Sequence, residues 1–184
     1  DYVWPRTINQ QLKGYLADKG IGSESFREEY VPFGHSNFQT LINELRTFAN
    51  QPGGQPIVIL TTVGNSIPDF FREFINQGIS AFDIPVLGLD AVEADFEGLD
   101  TAPLVGHLNC WAYLKNASGS KNKEFLSNWA SYVTTNSVPF SKTTVIDPMV
   151  STYDGIHLWA MASEKAGSFD VPAVRDAFPG LSFA

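Results

Sequence analysis

The sequence predicts an α/β fold in which an open parallel sheet is flanked by helices. Three observations carry this. The runs "PIVILTT" (56–62) and "IPVLGL" (84–89) are continuous and apolar, as strands covered on both faces are. Helix-start residues follow the first run at once, with Ser66 and Pro68 ahead of an apolar stripe. Along residues 1–113 helical periods alternate with strand-like runs, the rhythm of strands linked by crossover helices.

The first helix is read from Ile8, Leu12, Tyr15 and Leu16, which share one face, with Gly20 as its stop. "SFREEYVPFG" alternates Phe26, Glu28 and Tyr30 against Arg27, Glu29 and Val31 up to Pro32, and predicts a strand of mixed or edge character. Ser36 and Gln39 form a capping-box pattern at the start of a second helix, whose face is Phe38, Leu41, Ile42, Leu45 and Phe48 and whose end is the breaker "NQPGGQP". The strand 56–62 leads into a third helix, N-capped by Ser66, with the stripe Phe70, Phe71, Phe74, Ile75 and a stop at Gly78. The strand 84–89 leads through "DAVEADF" into a short helical stretch, and "LVGHLNCWAY" (104–113) is the last clear strand. Beyond Tyr113 the alternation breaks. Helices over 121–133 and 148–166 follow one another across the linker "TTNSVPFSKTT", the second with Asp147 as N-cap, Pro148 at its first position and Gly167 as its stop. A short helix over 171–177 comes next, and "LSFA" reads as the start of a further strand.

The 184 residues suffice for one ordinary domain or pieces of two. At 43% hydrophobic, with 14 Phe, the chain has enough apolar surface to offset the entropy of ordering, which excludes disorder. No apolar run approaches the roughly 18 residues a membrane-spanning helix needs. With 20 acidic against 12 basic residues and no basic cluster, nucleic acid is excluded as a partner, because phosphate backbones require a basic surface. The single cysteine, Cys110, lies in an apolar run and is expected to be a small buried hydrophobe.

Several chemistries lack their residues. There is no G-x-x-x-x-G-K-[ST], no G-x-G-x-x-G after a strand and no G-x-S-x-G, and His35, His107 and His157 do not have metal-ligand spacing. Catalysis has no visible carrier, no cofactor is implied, and the histidines are read as structural. The acidic cluster "DAVEADFEGLD" fits no calcium loop and is read as a solvated helix start, except for Asp90. Parallel sheets collect ligands at the carboxyl ends of their strands, and both "VGNS" (63–66) and Asp90 follow strands directly. Gly64 lets the backbone approach a ligand, the amides near Asn65 and Ser66 can donate to a carbonyl or carboxylate, and Asp90 accepts N–H groups. With no basic residue beside Asp90, a neutral or cationic nitrogen suits such a pocket.

The segments "DYVWPRTINQQLK", "EEYVPFGHSNFQTLINEL", "TTVGNS" and above all "DPMVSTYDGIHLWAMASEKAGSFDVPAVRDA" resemble the type I periplasmic solute-binding proteins of the Leu/Ile/Val-binding superfamily, in the branch serving urea and short-chain amide transporters. The resemblance covers nearly the whole chain. It implies a non-enzymatic protein of two α/β lobes joined by crossing strands, closing by hinge motion around a small molecule held in the cleft between them. It implies an ABC transporter membrane permease as partner and a periplasmic or extracellular location, free or lipid-anchored. Residues 1–113 would be the second lobe without its first strand, 114–180 a helical segment of the first lobe, and 181–184 the start of a return crossover. Because the first strand is central in such sheets, its absence is expected to leave the segment poorly folded alone, with the strand supplied from elsewhere.

Carried over by position, the resemblance makes Tyr2 an aromatic residue over the bound solute, Val63, Gly64, Asn65 and Ser66 a second wall, and Asp90 a third. The urea and amide branch has Ser or Thr at the position of Asp90, whereas amino-acid receptors of the wider family have an acidic residue. An unpartnered buried carboxylate is costly, so the expected ligand moves from urea toward an amino-bearing molecule, an amino acid among them. A ligand sensor of the same fold, controlling a signalling partner, is the alternative.

Overall fold

In a computed structural model of the chain, residues 2–52, 54–140 and 143–183 are described. The chain divides into two compact units, Asp1–Cys110 and Trp111–Ala184. The first is a mixed α/β structure with a parallel three-stranded sheet and flanking helices, the predicted class.

Its elements are α1 (Val3–Asp18), α2 (Gln39–Ala49), β1 (Val58–Leu60), α3 (Ser66–Asn76), β2 (Val86–Gly88) and β3 (Leu108–Asn109), with single 3-10 turns at Glu93–Phe96 and Ala102–Leu104. The strand order is β1-β2-β3, all parallel, in the register Val58↔Val86, Leu60↔Gly88 and Gly88↔Asn109. The core is built around α3. Ile67, Phe70, Phe71 and Phe74 recur at helical spacing and bury against Phe38, Ile42, Leu60, Val86 and Leu104. Phe38 meets Phe70 edge to face at 5.5 Å, an arrangement that aligns the ring edge of one with the electron-rich face of the other.

Gly78 ends α3 as predicted. Its φ of +65° is open to glycine without a Cβ clash, and it lets the Gly78 and Ile79 amides return to the Ile75 and Phe74 carbonyls at 2.9 and 3.1 Å, a Schellman closure. The same pair of bonds ends α1 at Gly20.

Five local expectations are corrected. The stretch 26–32 is extended but joins no strand. Side chains hold it instead: Glu28 sits between Lys13 and Tyr30 and accepts from Asn9 at 3.0 Å, and Arg27 pairs with Glu29 and Glu44 at 2.6 Å. Alternating chemistry reports extended backbone, not the presence of a neighbour to pair with. The capping box at Ser36 does not form; α2 begins at Gln39, whose amide donates to Asn37 Oδ1 at 3.3 Å. Helix α3 starts at Ser66 itself, the predicted cap, so Asn65 takes the N-cap position and Ser66 the first turn. The strand expected over 104–113 shrinks to β3, because Leu104 ends a 3-10 turn and Gly106 enters a bend with φ of +102°. Cys110, expected inside, is exposed, as is Leu108 at 61%.

The second unit contains α4 (Ser120–Asn136), α5 (Asp147–Ala166) and α6 (Val171–Ala177). Its core is small: Ala162, Val174 and Ala177, with Ala166 and Leu181 against them. Lys165 Nζ donates to the Ala177 carbonyl at 3.0 Å and so satisfies the end of α6. Asp147 is not an N-cap but the first residue of α5; its buried carboxylate accepts from the Tyr113 amide at 2.6 Å and from Ser151 at 3.1 Å. Residues 181–183 form no strand, and Ala184, like Gly53 and the linker residues Ser141 and Lys142, lies outside the described residues. Among the described residues no helix is long and apolar enough to cross a membrane.

Candidate functional site

At the carboxyl edge of the sheet in the first unit, three chain turns and the start of α1 surround a cavity of about 450 Å3 lined by Tyr2, Phe33, Gly34, Val63, Gly64, Asn65 and Asp90. A parallel sheet produces this convergence, since every strand ends on the same side and the loops leaving them share that rim. After β1 the chain turns at Gly64, where a φ of +63° needs a residue without a Cβ. Its carbonyl accepts the Ile67 amide at 2.9 Å, closing the entry into α3. After β2 the chain reaches Asp90.

The Asp90 loop is braced on several sides. The Leu89 amide donates to the Leu60 carbonyl at 3.0 Å and the Cys110 amide to the Gly88 carbonyl at 3.0 Å. Asn109 Nδ2 donates to the Ala91 carbonyl. The Val92 amide donates to Asp95 Oδ2 at 2.8 Å and the Asp95 amide returns to the Val92 carbonyl at 2.9 Å. Gly88 is needed beside this brace, because a Cβ there would stand 2.9 Å from Asn109 Oδ1.

Asp90 itself is half-buried and, among the described residues, accepts no hydrogen bond and forms no ion pair. Burial, and secondarily the nearby Asp95 carboxylate, pushes it up to about 6. Loss of water disfavours the ionised form when no partner replaces the hydration. Asp95 is raised as well, chiefly by burial, with the Val92 amide acting in the opposite direction. Across the cavity Tyr2 and Phe33 form a joined aromatic surface, their ring centroids 5.5 Å apart and tilted by 49°.

Of the residues singled out in the sequence, Tyr2, Val63, Gly64, Asn65 and Asp90 line this one cavity. Ser66 does not. It is 1% exposed, and its Oγ has no hydrogen-bond partner. Phe33 and Gly34 escaped the sequence reading, because the stretch before them joins no strand and the rule that places strand-end loops on one rim does not reach them. Asn109 and Asp95 gave no local signal, because each acts through a backbone group of the Asp90 loop.

The arrangement offers a carboxylate acceptor, an aromatic face and backbone amides at the start of α3 to a small guest. Among the described residues no group of three or more His, Cys, Asp or Glu side chains could hold a metal ion. None of the curated proteins compared with the chain matches it. A family model described as the periplasmic binding protein domain matches residues 1–184, and with a parallel sheet whose loops converge on a ligand-sized cavity, the chain belongs to the type I periplasmic binding protein family.

Proposed function

We propose that this protein is the extracytoplasmic solute-binding component of an ABC transporter, presenting a small amide-like, urea-like or amino-bearing molecule to a membrane permease. Periplasmic binding protein domains bind small molecules, work with transporter or receptor partners, and are generally non-enzymatic and extracytoplasmic. Within that role, residues 1–113 act as the second lobe, 114–180 belong to the first, and 181–184 begin the return crossover. The observation that carries the reading is the Asp90 carboxylate, half-buried on the cavity wall and without a partner among the described residues. A carboxylate in that state is completed by N–H donors from a guest, and amides, urea and amines all supply them. Tyr2 and Val63 give the guest apolar contact and Gly64 and Asn65 polar contact through the loop, while Ser66, buried behind them, supports the turn into α3.

Titration calorimetry of the 184-residue chain with urea, acetamide and glycine tests this. Saturable heat with at least one of them, or with a cationic counterpart such as acetamidinium or guanidinium, lost in Asp90→Ser, is expected; no heat with any of these overturns it.

A further inference from the structure

We infer that the guest of this cavity is a flat nitrogen cation of the amidinium or guanidinium class that carries no carboxylate of its own. The inference rests on the solute-binding reading above and adds charge and shape to it.

Charge comes first. Among the described residues, Asp90 and Tyr2 are the titratable side chains on the cavity wall, and no Lys, Arg or His lines it. His35 neighbours Gly34 in the chain, but its ring packs edge-on against Phe38 at 4.8 Å. The other group acting on Asp90 is Asp95, also negative. A neutral guest would satisfy the oxygens of Asp90 and leave the negative charge in place, in a pocket that already disfavours it. A cation removes that charge, adding its Coulombic attraction to the hydrogen bonds that any N–H donor would make to the carboxylate. The same wall argues against an amino acid. Its ammonium would find Asp90, but its carboxylate would find backbone amides and the Asn65 side chain without any counter-charge.

Shape follows from the aromatic pair. Rings 5.5 Å apart and tilted by 49° leave no slot between them, since stacking a guest on both sides needs about twice the 3.5 Å of a van der Waals contact. Tyr2 and Phe33 are therefore one face, not a clamp. A planar cation lying on that face gains cation–π attraction while its edge points paired N–H groups at the two oxygens of Asp90, the fork geometry that suits a carboxylate. A tetrahedral ammonium cannot do both at once. The cavity, about 450 Å3, lies in the lower part of the range of roughly 300–1,000 Å3 typical of small-molecule sites.

Two pairs of nearly identical shape isolate charge: acetamide against acetamidinium, and urea against guanidinium. Calorimetric titration of the chain at about pH 7.5 should show each cation binding about tenfold more tightly than its neutral partner, because an opposite charge at the carboxylate adds an attraction that a neutral donor lacks. Glycine should bind no better than acetamide. The preference should disappear in Asp90→Asn, which keeps the shape and removes the charge, and acetamidinium affinity should fall about tenfold per pH unit below about 6, as Asp90 takes up its proton. Phe33→Leu, at a ring 67% exposed and so not needed for the core, should weaken the cations more than the neutral molecules. Equal or tighter binding of the neutral partners overturns the inference and leaves the solute-binding reading standing. So does a cation preference that survives in Asp90→Asn, or glycine as the tightest ligand. If none of the five compounds binds, the solute-binding reading of the cavity falls with it.

Discussion

His107 shows how one side chain can extend a sheet. Its Nδ1 accepts the Val86 amide at 3.0 Å, standing in for a strand carbonyl at the start of β2, and its Nε2 is buried without a partner among the described residues. Only a neutral ring protonated at Nε2 can make that bond. Burial lowers the proton affinity of His107 below its ordinary value of 6.5, so under acid conditions the unfolded chain binds a proton that the folded chain resists. Stability from this group is therefore intact above about 6.5 and declines as pH falls beneath it. Asp90 has the opposite sign. Raised from 3.8 to about 6, it keeps a proton longer in the folded state, and its contribution improves as pH falls between those values. Thermal unfolding at about pH 7 and pH 5 separates the two: Asp90→Asn should lose more stability on acidification than the parent chain. His107→Phe should cost about 1–3 kcal/mol at neutral pH, the penalty of an unpaired buried amide at Val86, and should flatten the acid dependence that His107 causes.

Helix α3 is the element on which the first unit depends. It supplies Ile67, Phe70, Phe71 and Phe74 to the core and carries Asn65 at its start, so the same helix packs the sheet and forms part of the cavity rim. Phe74, fully buried, lies 5.0 Å from the Phe70 ring and 5.8 Å from His107. Phe74→Ala should cost about 3–5 kcal/mol, because the cavity it leaves is walled by rings that cannot collapse into it; chemical denaturation measures this directly. The stripe was legible in the sequence because helical spacing alone places those residues on one side. The stretch 26–32 was not. Its alternation suggested a strand, but whether extended backbone pairs depends on what lies beside it, and here Lys13, Asn9 and Glu44 reach it through side chains.

The two units differ in what they bury. In the first, Phe38, Ile42, Leu60, four residues of α3, Ile84 and Val86 form a continuous core. In the second, the core is Ala162, Val174 and Ala177, and α4 has no buried residue. Local opening is easiest where few apolar contacts oppose it. Hydrogen exchange should therefore be slowest in α3, β1 and β2 and fastest in α4, with the α5 amides near Ala162 between them. Protection of α4 equal to that of α3 would contradict this ordering.

The spacing of apolar residues and the breakers between them were enough to foresee the α/β class, the buried stripe of α3, its stop at Gly78 and the direction in which the loops at Val63–Asn65 and Asp90 must emerge. These follow from the local period of the backbone and from the rule that parallel strands end on one side. The burial of Cys110, the pairing of 26–32, the grip of Asn109 on the Ala91 carbonyl, and the arrival of Phe33 and Gly34 beside Tyr2 were settled only by the folded chain. Each depends on which groups, distant in sequence, come to lie within a few ångströms, and no single stretch of residues carries that information.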